Sequence, residues 1–573
     1  MRSIAIVGAG QSGALLALAL LKRDYQVTLV TDRTPDQVRI GPVMSSQCMF
    51  DSALQIERDL GLDHWEERCP RIDTMAVNVA KTHGSNEIAV TTPLVGFAQS
   101  VDQRVKCADW VDEFAELGGN LVIKSASPAD IEILAQSHDL VIISSGKGDL
   151  GRLFPPDPVK SPYNRPQRAL ALAYVNGLTE HSDGADLALN IVPGVGEYFV
   201  LPALTTTGPC HVMVFEGVPG GPMDCWDDVH TPQAHLERAK EILAEHFPSE
   251  FARTGDISLT DEAGVLRGRL TPTVRRPVAE LASGSVVLGM ADAVVLNDPL
   301  TGQGSNNAAQ AVAVYLDAIV GRGEQPFDTQ WMQRTFDKFW RGWAQWAVSW
   351  TNDLLRGPSD PVLGLFAAAQ DSPTLASAIA TGFDDPRTVH NWWFDDTEAR
   401  RLIETAKAAE QAQFDPRDLR RALGQYATGV TVITTRGPDG RKIGVTANSF
   451  TSVSMDPPLV SWCPASKAPS LPDLTGATHF AVNVLAANQH DLSRQFSTPA
   501  EDKFAGVATT EGIAGVPLID DAIAHFQCRT VQRIVAGDHI IFLGEIEQYD
   551  ADPGEPLVFH SGSYRLVTKH PDF

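Results

Sequence analysis

The sequence predicts a two-part chain: a large α/β body on a parallel sheet, with β-rich and helical parts, followed by a small all-β domain. Three stretches predict this. Residues 4–13 (IAIVGAGQSG) read as a strand, a glycine turn and the start of a helix. A second glycine-rich turn, at residues 302–306, opens another apolar helix at 308–320. After about residue 411 the texture changes to short Val-, Ile- and Thr-rich runs broken by turn residues, the pattern of a barrel rather than of βαβ units.

At 573 residues the chain exceeds one core, so two to four domains are expected. The formal net charge is −25. From residue 411 onward 13 basic and 18 acidic residues give −5, leaving −20 for the first 410. Acidity in both parts argues against nucleic-acid and anionic-membrane partners. The seven cysteines are scattered, with no C-x-x-C and no metal-ligand spacing, so no metal is expected and a reducing, cytoplasmic setting is. No apolar run reaches the ~18 residues of a membrane span. The chain enters a strand at once, so no signal peptide is expected.

Residues 4–7 are an apolar run, read as a buried strand. Gly8, Gly10 and Gly13 then form G-x-G-x-x-G ahead of an apolar helix at 14–21. The first glycine permits the tight turn, the second lets backbone approach a pyrophosphate, and the third lets helix pack on strand. The helix start adds free N–H groups and a positive dipole end. This context predicts dinucleotide binding. Residues 26–30 (QVTLV) form the next strand. Asp32, just past it, is the candidate acid for the ribose hydroxyls, with Thr31 as the alternative.

Residues 38–51 read as loop. Arg104 precedes a helix at 107–117. Strands follow at 121–123 and 140–143, the latter ending in Ser144, Ser145, Gly146 and Lys147. Residues 155–166 are proline-rich and mark a crossover. Short runs at 170–175, 198–201 and 211–215 predict a β-rich, substrate-facing part between about 167 and 275. A strand at 286–288 leads to Asp292, then Asp298, then Gly302, Gly304, Ser305 and Asn306. That second helix start suits a charged or electron-rich ring. Trp331, Phe336, Phe339, Trp340, Trp343, Trp346 and Trp350 form an aromatic stripe at mostly helical spacing, read as core packing. Residues 397–414 predict one helix, with the domain boundary near 411.

In the last part, strands are expected at 430–435, 442–453, 459–463, 479–485, 525–534 and 540–548. Thr446, Ala447, Asn448 and Ser449 put small polar groups at a strand end. Ser466, Lys467 and Ser470 offer hydroxyls and one cation in a turn, suited to phosphate. His539 stands just before a strand.

Through IAIVGAGQSG, VTDRTPD, VDQR, SGKG, SPYNRPQRAL and DPLTGQGSN, residues 1 to about 405 resemble the epoxidase component of two-component styrene monooxygenases. These are single-flavin oxygenases related to the para-hydroxybenzoate hydroxylase class. The resemblance implies a Rossmann-like FAD-binding domain in two parts, about 1–165 and 280–325. A β-rich substrate part at about 166–279 and a helical part at about 326–410 complete it. It implies that Gly8, Gly10 and Gly13 hold the FAD pyrophosphate. Arg104 and Asp292 would touch the ribityl or phosphate region, and residues 298–306 would lie beside the isoalloxazine. One stretch departs from the family: after VTDR, where an Asn-containing motif is usual, this chain reads IGPVMSSQC.

From about 414 on, ATGVTVITT, GVTANSFTSVSMDPPLVSW, FAVNVL, GDHIIFLGEI and FHSGSYR resemble the short-chain flavin reductases with a split-barrel fold. That implies flavin contacts from Thr446, Ala447, Asn448 and Ser449, phosphate contacts from Ser466, Lys467 and Ser470, and a catalytic His539 at the nicotinamide or flavin. The whole resembles a fusion of monooxygenase (1–410) and reductase (411–573), expected to form homodimers. The resemblance implies that NADH reduces FAD in the second domain. In the first, reduced FAD and O₂ would give a C4a-hydroperoxide that epoxidises styrene-type alkenes and indole. The rival expectations are an aromatic hydroxylase of the same fold, and an NADH oxidase with a flavin-storing amino-terminal module.

Overall fold

The first strand, Ser3–Val7, lies inside a six-stranded sheet, with Ile4 to Val7 buried. A computed structural model of the chain describes residues 2–82, 85–146, 148–411, 415–500 and 502–568. These fall into two units, Met1–Gln411 and Ala412–Phe573.

In the first unit the sheet runs Val278–Glu280, Val286–Gly289, Leu140–Ile143, Ser3–Val7, Gln26–Thr31, Asn120–Ile123. Every pairing is parallel except the first. Near-continuous apolar strands belong in such a sheet, because helices cover both faces. Helix Gln11–Leu21 packs on helices Gln103–Glu116 and Gln303–Arg322. A buried charge pair fixes part of this packing. Lys106 Nζ lies 2.8 and 2.9 Å from the carboxylate oxygens of Glu57, on helix Asp51–Asp59. Gln11 Nε2 donates to the same carboxylate at 2.7 Å. One carboxylate thereby ties three helices together.

A second, eight-stranded sheet carries Ala169–Asn176, Leu187–Val192, Gly196–Thr205 and Gly208–Gly217 at its centre. Two of its features differ from the sequence reading. Strands Ile72–Thr82 and Ser85–Ala98 join this sheet, although residues up to 165 were expected in the cofactor-binding part. Helix Pro232–His246 also interrupts the stretch read as β-rich. One sheet face carries Ala173, Tyr198, Met213 and Phe215 under that helix. The other carries Leu172, Leu189, Leu201 and Val214, in one core with the helices of 345–406.

The aromatic stripe is core, but it serves two cores. Helices Thr329–Phe339 and Gln345–Leu354 are joined by a π turn, Trp340–Ala344. Trp331, Phe336, Phe339 and Trp343 join the parallel-sheet core. Trp350 joins the other, with Phe383 and Trp393. The extra residue in a π turn rotates the later side chains, which is how one stripe splits. Helix Asp396–Gln411 follows; positions 412–414 of the expected helix, like Lys147, lie outside the described residues.

In the second unit seven strands pair antiparallel in the order Lys442–Ala447, Thr431–Arg436, His479–Val484, Ala524–Ala536, His539–Ala551, Pro458–Trp462, Thr451–Met455. The run expected at 442–453 is thus two strands. Trp462, Phe480, Val482 and Phe542 fill the core. A short helix, Pro416–Leu423, precedes the strands. Among the described residues no helix is long and apolar enough to cross a membrane.

Lys106→Met leaves the Glu57 carboxylate buried and unpaired, which costs about 3–5 kcal/mol. Denaturant unfolding of the full chain is expected to show that loss, with most of it recovered in Lys106→Met/Glu57→Gln. An unchanged midpoint in the single variant contradicts the tie.

Candidate active site

Gly8 adopts φ +110°, a backbone conformation open to glycine. A Cβ on Gly13 would sit 1.9 Å from the Gly8 carbonyl oxygen, so strand, turn and helix close up only with glycine there. Gly10, by contrast, has open space where a Cβ would be. It is the N-cap of helix Gln11–Leu21 and supplies no side-chain cap. Helix Gln303–Arg322 begins the same way, behind Gly302 at φ +65° and without a side-chain cap. First-turn N–H groups have no partner inside their own helix. Here both sets border a single cavity of about 470 Å³, lined by Gly10, Gln11 and Ser12 on one side and Gly302, Gly304 and Ser305 on another. Two positive helix ends therefore meet one space.

The opposite wall is the eight-stranded sheet, through Leu172, Leu187, Leu189, Phe199, Leu201 and Val214. Ala291, at φ +49°, and Asp292 also line the cavity. So does the loop Met44 to Cys48, the stretch that departs from the family motif. Within it Gln47 is 3% exposed, and neither Oε1 nor Nε2 has a protein partner. A larger cleft, about 650 Å³, opens beside Ser3, Gln26 and Asn120. Those residues mark the amino ends of parallel strands, whereas nucleotide crevices lie at the carboxyl ends.

Of the residues expected at the cofactor, Gly10, Asp292, Gly302, Gly304 and Ser305 line this cavity; Gly8 and Gly13 shape the turn behind it. Asn306 holds the second turn instead: it accepts from Phe50 N and donates to the carbonyls of Cys48 and Gly302. Asp298 is 1% exposed and accepts from Leu300 N at 3.3 Å. Asp32 stands beyond the strand end, largely exposed, 3.6 Å from Arg33. Arg104 is not among the residues that line this cavity. It is 1% exposed and locked by Asp102 at 2.8 Å and by Asp261 at 2.8 and 3.0 Å. Its NH2 group also donates to Thr205. The guanidinium faces protein carboxylates, not the cavity. A lone arginine could not reveal this, because Asp261 is 157 residues away.

Glu216, which the sequence reading passed over, lines the cavity at 0% exposure. Burial, with Asp298 and Glu197 nearby, pushes its carboxyl well above the ordinary range. Burial likewise raises Asp298, to about 6. The protonated Asp298 favours the fold. That contribution is complete below about 3.8 and is lost as pH rises through about 6.

In the second unit, contacts around Cys463, Ala465 and Asp538 bring Ser449, Ser466 and His539 together. Ser449 Oγ accepts from Cys463 N and donates to Cys463 O. Ala465 bridges to His539, and Ser466 donates to Asp538 O through N and Oγ. His539 Nδ1 lies 2.8 Å from Asp538 Oδ1. Thr446 Oγ1 donates to Ser493 O, while Asn448 and Lys467 are exposed. Ala447 ends its strand, and Ser470 begins helix Leu471–Gly476.

Together these features define the class: a flavin-monooxygenase-like segment joined to a flavin-reductase-like domain. Residues 423–568 match the flavin reductase like domain family, and through them the chain belongs to it. Residues 146–253 match the substrate binding domain family of styrene monooxygenase A. The FMN reductase (NADH) SmoA of Agrobacterium fabrum is 40% identical over 168 residues, which cover 28% of this chain and 95% of that one. Styrene monooxygenase StyA of Pseudomonas fluorescens is 28% identical over 398 residues, 67% of this chain and 93% of StyA. A Rhizobium meliloti protein named "Probable flavin reductase" is 44% identical over 151 residues, 26% of this chain. The match spans about half, 49%, of that relative's length. The chain is thus a fusion of a StyA homologue with a flavin reductase domain.

Gly13→Ala is expected to destabilise the flavin-free chain by about 1–3 kcal/mol. Gly10→Ala is expected to stay within about 0.5 kcal/mol of wild type and to lose stabilisation by added FAD. Thermal unfolding with and without FAD checks both; equal behaviour of the two variants contradicts the assignment.

Proposed function

We propose that the chain is a self-sufficient flavin monooxygenase acting on styrene-type alkenes and indole. The carboxyl-terminal domain reduces FAD with NADH, and the amino-terminal unit uses the reduced FAD and O₂. The single observation that carries this is the cavity: two uncapped helix starts on one side, a leucine- and phenylalanine-faced sheet on the other.

The amino-terminal residues fit FAD in a Rossmann-like site. The glycine turn leaves room at Gly10 and unpaired N–H groups for a pyrophosphate. The turn at Gly302 offers a second set beside an electron-rich ring. The unpartnered amide of Gln47 supplies a donor and an acceptor. Bound reduced FAD supplies the electrons and the locus of O₂ activation. The protein's part is to place the substrate and exclude water. Leu172, Leu189, Phe199 and Val214 do both, since a wet site wastes reduced flavin and O₂ as peroxide. In the reductase domain, the strand end at Thr446 to Ser449, the Ser466–Lys467 turn and His539 form the patch for flavin and NADH.

A phenol hydroxylase would favour an uncommitted cation for its phenolate. The two arginines lining this cavity are engaged elsewhere: Arg267 with the Trp226 carbonyl, Arg269 with Asp224 and Asp227. Val453, Met455, Ile534, Val535 and Tyr549 are exposed apolar side chains on the strands of the second unit, and surface of that kind favours homodimerisation.

Purified full chain with FAD, NADH and air is expected to turn styrene into its epoxide and indole into a blue pigment. Peroxide as the sole product would establish the NADH-oxidase reading instead. Sedimentation is expected to give twice the 61.9 kDa chain mass; a single-copy mass rejects the dimer.

A further inference from the structure

Register places two glutamates side by side. In the eight-stranded sheet Glu216 pairs with Glu197 on one neighbouring strand and with Leu170 on the other. Directly opposed like charges destabilise a sheet. Glu197 is neutralised by Arg168, whose Nε and NH2 lie 2.7 and 2.8 Å from its carboxylate oxygens. Glu216 has no such cation. Its second carboxyl neighbour, Asp298, arrives from the loop ahead of Pro299–Thr301. All four groups are at most 8% exposed.

Neither Glu216 oxygen, nor Asp298 Oδ2, meets a donor from the protein. An ionised carboxylate only accepts, and one buried with neither donor nor cation is strongly disfavoured, so the unpartnered Glu216 group, with Asp298 nearby, keeps a proton. The charge count agrees, since three buried carboxyls share one arginine. Arg267 and Arg269, on the far side of Leu170, are committed elsewhere. Of the pair, Glu216 borders the cavity, beside the apolar row of Leu172, Val214 and Phe199.

We propose that Glu216 and Asp298 share one proton, and that Glu216 donates it into the cavity during oxygen transfer. This rests on the proposed oxygenation only for what receives the proton. One alkene, one O₂, one NADH and one proton give one epoxide, one NAD⁺ and one water. One oxygen atom enters the alkene. The other leaves at the oxidation level of hydroxide, with NADH having supplied both electrons. The Glu216 O–H bond breaks as that oxygen gains the proton and departs as water. The pair, left dianionic, regains a proton from solvent.

The test is infrared difference spectroscopy on the full chain without flavin, as a pH titration, in H₂O and D₂O. A protonated-carboxyl C=O band is expected to persist at neutral pH, to shift down in D₂O and to vanish in Glu216→Gln. Asp298→Asn should move that band, because it changes the partner that shares the proton. Absence of the band at neutral pH in wild type overturns the proposal without any variant, as does an identical band in both variants. With styrene, epoxide formed per NADH should fall by about tenfold or more in Glu216→Gln. The yield should also fall more steeply toward alkaline pH than in wild type. A band that behaves as expected in a protein that makes no epoxide sinks the substrate reading and leaves the proton pair standing. An epoxide yield and pH profile unchanged in Glu216→Gln removes the donor role.

Discussion

Backbone N–H groups left without partners at the starts of two helices are the constraint on which the amino-terminal unit depends. Neither Gly10 nor Gly302 offers a side-chain cap, and a helix start without a cap gains from a ligand. The surrounding structure serves to bring both ends to one cavity. Helices Gln11–Leu21 and Gln103–Glu116 are both tied to helix Asp51–Asp59, through Gln11 and Lys106 on Glu57. Asn306 ties the second turn to the loop at Cys48 and Phe50. A few ionic groups in this unit are turned inward and fix geometry, as Arg104 does on Asp102 and Asp261.

The sheet opposite contributes the other half of the chemistry. Its cavity face is mostly leucine, valine and phenylalanine, with one carboxyl at Glu216. A lone buried carboxylate there would be costly, so the pairing with Asp298 and the Arg168–Glu197 bridge beside it form one electrostatic unit. The backbone ends at the two helix starts, the Gln47 amide and the Glu216 carboxyl are polar groups there that no protein partner occupies. Such a cavity suits a reaction in which the flavin carries the hard chemistry and the protein keeps water away.

Much of this was legible in the sequence where a local pattern dictates structure. The strand–glycine–helix unit at 4–21 needs no distant partner to be recognised, nor does the glycine turn at 302–306 or the alternating runs after 430. Features set by distant register were not legible. The hairpin Ile72–Thr82/Ser85–Ala98 joins a sheet whose other strands begin at residue 169. Glu216 and Glu197 become neighbours only once two strands pair. The family resemblance implied a cofactor contact for Arg104, and nothing local announced its partner Asp261, which lies far along the chain. The aromatic stripe was correctly read as core, but a π turn, which spacing does not announce, splits it between two cores.

The central claim is that the cavity between the two uncapped helices and the leucine-faced sheet holds a flavin ring. A structure of the full chain with FAD tests it most directly. The account predicts the isoalloxazine between the turn at Gly302 to Ser305 and the row Leu172, Phe199 and Val214, with the pyrophosphate at Gly10 to Ser12. Flavin bound only in the unit after residue 411, with that cavity left to solvent, would contradict it.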